Sequence, residues 1–250
     1  MKSLLEIQQL GVSYGGLRAV DDVSINVQAD RVMGLIGPNG AGKTTTIDAI
    51  CGFVPKATGT IELAGQRLEM LSAHQRARAG LVRTFQSVEL FDDLTIRENL
   101  IVAASAPRWY STLMDAIHPR RGAVTESVSE AIEMTGINAL VDQRPTELSH
   151  GQRRIVGVAR ALAGRPKLVL LDEPAAGLDP SETDALGELI VSLPQRGIGV
   201  LLVDHDMTLV LDVCDDITVL DFGRVIATGT PHEIRGNDAV VAAYLGSSHE

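Results

Sequence analysis

The sequence predicts an α/β fold in which a mostly parallel sheet follows an N-terminal antiparallel β lobe and contains an inserted helical subdomain. Three observations lead to this prediction. Continuous apolar runs at residues 32–36, 167–171 and 199–203 are typical of parallel strands buried on both faces. The alternation of apolar and polar residues at 20–27 is typical of a half-exposed antiparallel strand. Residues 94–148 show helical spacing and no strand signal.

Composition limits the possible functions. The 250 residues, 45% of them hydrophobic, can bury a sizeable core. With 22 Lys and Arg against 32 Asp and Glu, the formal net charge is -10, so nonspecific attraction to nucleic acid or anionic lipid is not the expected basis of function. Cys51 and Cys214 lack metal-like spacing and favour a reduced compartment. No apolar run approaches the ~18 residues of a membrane span, so we expect any membrane work to pass through a partner.

The N-terminal lobe begins with a predicted strand at residues 4–12, followed by a turn at 13–16 that contains Tyr14. A flat aromatic ring can stack on a nucleotide base at low entropic cost. The alternative is a turn tyrosine packed on the lobe, and spacing alone does not separate the two.

A phosphate-binding loop is predicted at Gly37-Pro38-Asn39-Gly40-Ala41-Gly42-Lys43-Thr44-Thr45, which fits the pattern G-x-x-x-x-G-K-[ST]. The strand at 32–36 precedes it and a helical pattern at 44–53 follows, as the motif requires. Backbone N–H groups and the helix N-terminus would hold the phosphates. Lys43 would reach the β- and γ-phosphates, and the Thr44 hydroxyl would complete the coordination of Mg²⁺.

The pattern at residues 60–68 predicts a hairpin, and the pattern at residues 72–79 predicts a short polar helix. Residues 80–85 then predict a strand that ends at Gln86. Ligands of open α/β sheets gather at the carboxyl ends of the strands, so Gln86 is placed to hold a water or a metal. An ordinary loop residue is the alternative.

The helical insertion starts with a predicted capping box, in which Thr95 is the N-cap and Glu98 follows three residues later. Residues 106–122 are predicted to be irregular. Trp109 and Tyr110 in this stretch would either anchor a partner or pack on the subdomain.

Ser149, Gly151 and Gln152 precede a predicted helix at 153–163 and indicate a second anion site. The sequence has only one phosphate loop, so a second anion site implies a second molecule. His150 lies in the same run. A metal or catalytic role for it is disfavoured, because no other histidine or cysteine is near in sequence.

Asp172 and Glu173 follow the apolar run at 167–171. At the end of a buried strand, Asp172 would hold the Mg²⁺ shell, and Glu173 would face the water that attacks the γ-phosphate. A solvated acidic turn is the alternative.

Two further polar residues lie at element boundaries. Asp179 precedes Pro180 and is the predicted N-cap of a helix at 181–193. Its alternative role is a contact across a dimer. His205 follows the strand at 199–203 and would hydrogen-bond the γ-phosphate. A histidine satisfied by its flanking aspartates is the alternative.

Taken in order, these motifs resemble the ATP-binding subunits of ABC transporters over residues 4–234. The stretches match the family's Walker A, Q-loop, signature, Walker B, D-loop and H-loop motifs, and Tyr14 matches its adenine-stacking aromatic. The resemblance implies a P-loop NTPase core in a nucleotide-binding domain at 4–236, with the helical subdomain inserted at about 90–160. A C-terminal helix and tail would occupy 237–250.

The resemblance also implies an ATPase that uses ATP and Mg²⁺. It would form a homodimer, or a heterodimer with a sister ATPase, and would bind transmembrane permease subunits at the cytoplasmic face of the cell membrane. A solute-binding protein would be an indirect partner, and nucleic acid would not be one. The implied roles are catalysis for Glu173, His205 and Gln86, and metal binding for Thr44, Gln86 and Asp172. Nucleotide contacts are implied for the phosphate loop, Tyr14, Ser149, Gly151, Gln152 and Asp179.

Within the family, the chain is similar to the ATPases of branched-chain amino acid importers at residues 83–86, 90–91, 94–100, 174–178 and 229–235. A related urea or amide importer, or the lipopolysaccharide-export ATPase, is an alternative. The sequence departs from the family pattern at two places. His150 replaces the usual first glycine of the signature, which we expect to be tolerated, and Ala29-Asp30-Arg31 replaces the usual Gly-Glu turn.

Overall fold

The computed structural model describes residues 3–54, 57–84, 90–105 and 121–246. The strands in these ranges are β1 (Ser3–Tyr14), β2 (Leu17–Gln28), β3 (Val32–Ile36), β4 (Ala57–Leu63), β5 (Gln66–Arg67), β6 (Leu81–Arg83), β7 (Leu168–Asp172), β8 (Gly199–Val203), β9 (Asp216–Asp221) and β10 (Arg224–Gly229). The α-helices are α1 (Lys43–Cys51), α2 (Ala73–Ala79), α3 (Ile96–Ala104), α4 (Arg121–Thr135), α5 (His150–Ala163), α6 (Pro180–Ser192), α7 (Met207–Val213), α8 (Pro231–Arg235) and α9 (Asp238–Gly246). Short 3₁₀ helices lie at Ile137–Leu140, Pro145–Glu147 and Pro194–Arg196.

The N-terminal lobe is an antiparallel sheet with the strand order β2-β1-β4-β5. Val23, Ile25 and Val27 of β2 are buried, while the polar residues between them are exposed. The alternation predicted an antiparallel strand, and the structure confirms it. The hairpin predicted at 60–68 is present as β4 and β5.

The second sheet has the order β10-β9-β3-β8-β7-β6 and is parallel except at β10. Every residue of β3, β7 and β8 is buried, as the three apolar runs predicted. The strand predicted at 80–85 is shorter in the structure, where β6 begins at Leu81 and ends at Arg83. Gln86 lies outside the described residues.

The register of the parallel strands determines which residues meet at the carboxyl edge of the sheet. Asp172 of β7 pairs with Val203 of β8, so Glu173 and Asp204 follow the two strands at the same level. β3 lies on the other side of β8, and the phosphate loop leaves its carboxyl end. Three segments with candidate functional residues therefore begin at one edge.

The helical insertion begins with the predicted capping box. The Thr95 hydroxyl accepts a hydrogen bond from the Glu98 amide (3.2 Å), and the Glu98 carboxylate accepts one from the Thr95 amide (2.8 Å). Buried residues of α3, α4 and α5 join the core cluster that also covers one face of the parallel sheet. Trp109 and Tyr110 lie outside the described residues.

One predicted helix start was wrong. The structure begins α5 at His150, whereas the sequence predicted a helix from residue 153. Ser149 is the N-cap, and its side chain and that of Gln152 form a capping box (2.9 and 3.1 Å). The residues that indicated an anion site therefore also form the first turn of the helix. In the part of the chain that the structure describes, no helix is both long and apolar enough to cross a bilayer.

Candidate functional site

The phosphate loop connects β3 directly to α1, which begins at Lys43. Gly37 and Gly42 have φ values of 150° and 98°. A Cβ on Gly37 would collide with the Leu220 carbonyl, and one on Gly42 would lie 2.7 Å from the Ala19 carbonyl oxygen. The loop thus passes so close to neighbouring backbone that only glycine fits at these two positions.

The Lys43 side chain contacts the beginning of the phosphate loop. Its Nζ donates to the carbonyl oxygens of Gly37 (2.6 Å) and Pro38 (2.9 Å). Burial lowers the pKa of Lys43, and the negative charges of Glu173 and Asp172 oppose this effect. The lysine is therefore a half-buried cation within electrostatic reach of both carboxylates, at the position where the motif requires a positive charge.

Asp172 forms a buried ion pair that the sequence did not reveal. Arg83 Nη2 lies 2.7 Å from Asp172 Oδ2, and Arg83 Nη1 lies 2.5 Å from Asp48 Oδ1 on α1. The side chains of Arg83 and Asp172 are only 9% and 6% exposed. Burial of a carboxylate is costly unless it is paired, and Arg83 supplies that pair for Asp172.

Glu173 has an unusual backbone conformation. Its φ of 47° lies in the left-handed region, which is uncommon for residues other than glycine. Its amide donates to the Val203 carbonyl (2.7 Å), which ties this turn to the end of β8. Backbone strain of this kind concentrates at functional sites, and the Glu173 carboxylate is partly exposed.

Glu173 and His205 meet at the sheet edge, as their positions after adjacent strands predicted. His205 Nδ1 lies 3.8 Å from Glu173 Oε2 and 3.6 Å from Asp204 Oδ1, and the His205 side chain is 68% exposed. The Glu173 side chain is 30% exposed, so both ends of this contact are accessible to solvent.

Asp204 organises the two loops around this contact. It is buried, and its carboxylate accepts hydrogen bonds from the backbone amides of Ala175 (3.2 Å) and Asp206 (3.0 Å). One carboxylate therefore fixes the segment after Glu173 and the segment after His205 together. For the role of Asp204, the only indication in the sequence was a carboxylate directly after a buried strand. For Arg83, the only signal was a cation inside a short apolar strand.

The second group of predicted residues lies where α5 and α6 begin. Asp179 caps α6, and its carboxylate accepts the Glu182 amide (2.9 Å), which confirms the predicted cap. The Glu182 carboxylate occupies the space where a side chain on Gly151 would be. The structure thereby brings Ser149, Gly151, Gln152 and Asp179 together.

His150 packs against the loop before α6. A Cβ on Gly177 would lie 2.9 Å from Cδ2 of the His150 ring, so the ring occupies space that glycine leaves open. Gly177 also has a positive φ of 79°. The departure from the family pattern at His150 is accommodated by an intrachain contact.

Tyr14 is the last residue of β1 and pairs with Leu17 across the turn. Its side chain is 51% exposed, which leaves ring surface accessible. Among the other predicted nucleotide contacts, Asn39, Gly40 and Thr44 are also exposed on the loop.

A phosphate loop between a parallel strand and a helix, with carboxylates at the ends of neighbouring strands, defines the class of P-loop nucleotide-binding ATPases. The family model for ABC transporters matches residues 20–176, and that for branched-chain amino acid ATP-binding cassette transporters matches residues 224–250. This chain belongs to the ABC transporter family, as an ATP-binding subunit and an ATPase.

Individual relatives agree with this assignment. The chain is 40% identical to the high-affinity branched-chain amino acid transport ATP-binding protein BraF of Pseudomonas aeruginosa, with 99% of each chain covered. It is 38% identical to the lipopolysaccharide export system ATP-binding protein LptB of Haemophilus influenzae, with 98% of each covered. Among solved structures, the ADP conformation of the ATP-binding cassette MJ1267 gives a TM-score of 0.85 at 30% identity, covering 98% of this chain and all of that one.

The buried Arg83 pair yields a stability prediction. Arg83→Met leaves the buried Asp172 without its direct ion-pair partner and should lower the free energy of unfolding by about 3–5 kcal/mol in urea titrations. Arg31→Met is the matched control, because it removes the more exposed Arg31–Asp216 pair (2.6 Å; side chains 37% and 27% exposed), which contributes about 1 kcal/mol or less. Equal losses in the two variants would contradict our interpretation.

Proposed function

We propose that this chain binds ATP and Mg²⁺ at the phosphate loop and hydrolyses ATP within a dimer, to drive import of branched-chain amino acids through membrane permease subunits. The observation that supports the chemistry most directly is the convergence of Lys43, Asp172 and Glu173 at one sheet edge. A cation, a metal-binding carboxylate and a candidate base are the parts that phosphoryl transfer to water requires.

In this proposal the backbone amides of the phosphate loop and of the first turn of α1 hold the phosphates. Lys43 leaves the loop carbonyls that it now contacts and pairs with the phosphate oxygens, which exchanges a neutral acceptor for a charged one. Tyr14 stacks on the base through its accessible ring.

Thr44, Asp172 and Gln86 would hold Mg²⁺. The hydroxyl and the carboxylate are hard oxygen ligands, and Mg²⁺ in such sites takes its remaining ligands from phosphates and water. Arg83 pairs with Oδ2 of Asp172 and so fixes the orientation of this carboxylate. When bound, the ion would neutralise charge on the β- and γ-phosphates.

Glu173 would orient or deprotonate the attacking water, a contribution of roughly 10²- to 10⁴-fold in rate. His205 would steady the γ-phosphate charge, with its ring placed between Glu173 and Asp204. Asp204 would hold both residues in position through the amides that it accepts.

The N-terminus of α5 supports a composite site. Ser149 is exposed and lies at the start of a fourteen-residue helix, so its hydroxyl and the first-turn amides can bind an anion brought by another molecule. We infer that Ser149, Gly151 and Gln152 of each subunit complete the nucleotide site of the other, and that Asp179 contacts the partner. ATP then closes the dimer because its γ-phosphate makes contacts that ADP lacks.

Import of branched-chain amino acids is favoured by the full-length similarity to BraF and by the family match at residues 224–250. The subunit would act at the cytoplasmic face of the membrane, through permeases that receive solute from a binding protein. Its nucleotide-binding domain would span residues 4–236, with the helical subdomain inserted at about 90–160. The similarity to LptB favours a second candidate, the ATPase of lipopolysaccharide export.

Removing the candidate base should trap the closed state. Glu173→Gln should elute as a dimer in size-exclusion chromatography with ATP and Mg²⁺, because the nucleotide binds and is not cleaved. Glu188→Gln, at an exposed carboxylate of α6, is the control and should match wild type. Elution of Glu173→Gln as monomer alone would refute the shared site.

Removing the loop cation should abolish nucleotide binding. Lys43→Ala should show no heat of ATP binding by calorimetry, because the phosphates lose their charged partner. Lys167→Ala removes an exposed lysine of the same charge and should bind as wild type. An unchanged ATP affinity in Lys43→Ala would refute the phosphate cradle.

The transported solute can be tested in cells. Deletion of the gene should reduce uptake of labelled leucine, and wild-type protein but not Glu173→Gln should restore it. Normal leucine uptake together with loss of lipopolysaccharide from the cell surface would support the second candidate instead.

A further inference from the structure

The end of β9 and the turn between β9 and β10 pack against the phosphate loop. The Gly223 N–H in this turn donates to the Ala41 carbonyl oxygen of the loop (3.0 Å). A Cβ on Gly42 would lie 3.3 Å from the Gly223 Cα, and one on Gly37 would collide with the Leu220 carbonyl. The phosphate loop therefore contacts this hairpin near both of its ends.

The hydrogen bond at Ala41 constrains the amide that follows it. The Ala41–Gly42 peptide is trans and planar, so its C=O and N–H point in opposite directions. Because the Ala41 oxygen accepts the Gly223 N–H, the Gly42 N–H points away from the β9–β10 turn. Gly42 is the N-cap of α1, and the N–H groups at a helix N-terminus have no partner within the helix and can bind an anion.

Asp21 of β2 anchors the β9–β10 turn to the N-terminal lobe. Its N–H donates to the Gly223 carbonyl oxygen (2.8 Å), and its Oδ2 accepts hydrogen bonds from Nε (2.8 Å) and Nη2 (2.5 Å) of Arg224. Arg18 Nη1 lies 2.6 Å from the other carboxylate oxygen. Asp21 thus holds Gly223 through its main chain and Arg224 through its side chain.

We propose that Asp21 is a positioning residue for nucleotide binding, which acts on the phosphate loop through the β9–β10 turn. The proposal rests on the function proposed above for this loop. Anchoring the turn fixes Gly223, and Gly223 in turn fixes the Ala41–Gly42 peptide before the phosphates arrive. Orienting a binding group in advance lowers the ordering cost of binding, so the anchored turn favours nucleotide affinity. By linkage, bound nucleotide stabilises the anchored turn to the same extent.

The negative charge of Asp21 separates positioning from a purely electrostatic effect. A carboxylate repels an anionic ligand, so its removal would tighten nucleotide binding if only its charge mattered. Loss of the anchor predicts the opposite result, which is weaker binding. Substitution of Arg224 does not separate the two effects, because removal of a cation weakens binding in either case. Asp21→Ala is therefore the decisive variant.

The test measures the Kd for ADP by calorimetry on the full chain, since ADP binds without being hydrolysed. In Asp21→Ala we expect the Kd to rise about twofold to fivefold, the range that one exposed ion pair contributes. Glu62→Ala is the matched control, because it breaks the Arg67–Glu62 pair (3.1 Å) between β4 and β5 at the other edge of the same sheet. It should leave the Kd at the wild-type value.

Amide exchange measured by NMR gives a second readout. The Gly223 N–H should exchange faster in Asp21→Ala than in wild type, and in Glu62→Ala it should stay as protected as in wild type. The proposal requires both results, so an unchanged or lower Kd, or an unchanged Gly223 exchange rate, in Asp21→Ala overturns it. An equal rise of Kd in Glu62→Ala overturns the assignment to the β9–β10 turn. Failure of the wild-type chain to bind ADP would instead refute the proposed function.

Discussion

The parallel register of β7 and β8 is the constraint on which the rest of the site depends. Because Asp172 pairs with Val203, the residues that follow the two strands emerge side by side, and Glu173 comes within 3.8 Å of His205. A slip of one residue would turn every side chain of the strand to the opposite face of the sheet. Full burial of both strands prevents such a slip, because it would force a new packing on both faces.

The site places several carboxylates close together in a chain that is already acidic, and each is stabilised differently. Asp172 is paired with the Arg83 guanidinium, Asp204 accepts backbone amides, and Glu173 remains partly exposed. These environments differ, since Asp172 is held beside a cation inside the protein and Glu173 is in contact with solvent. Arg83 is the direct ion-pair partner of Asp172, while Lys43 contacts the carbonyl oxygens of the phosphate loop.

Features with a local signal could be predicted from the sequence. The phosphate loop, the caps at Thr95 and Asp179 and the buried strands each depend on residues within a few positions of one another, and the structure confirms the caps and strands. The Arg83–Asp172 pair and the contact of His150 with Gly177 could not be predicted, because each joins distant segments. The start of α5 was placed too late because one serine serves both as a cap and as a candidate anion ligand.

The two roles of that serine are compatible. In the cap, the Ser149 hydroxyl accepts the Gln152 amide through a lone pair, and it keeps a proton to donate to an anion. Gly151 has a separate constraint, because the Glu182 carboxylate fills the space beside it and also accepts the Asp179 amide (3.1 Å). A side chain at 151 would displace Glu182 and with it the start of α6. The proposed nucleotide contacts at 149–152 and the proposed dimer contact at Asp179 are therefore linked through Glu182, so a substitution at Gly151 should disturb both.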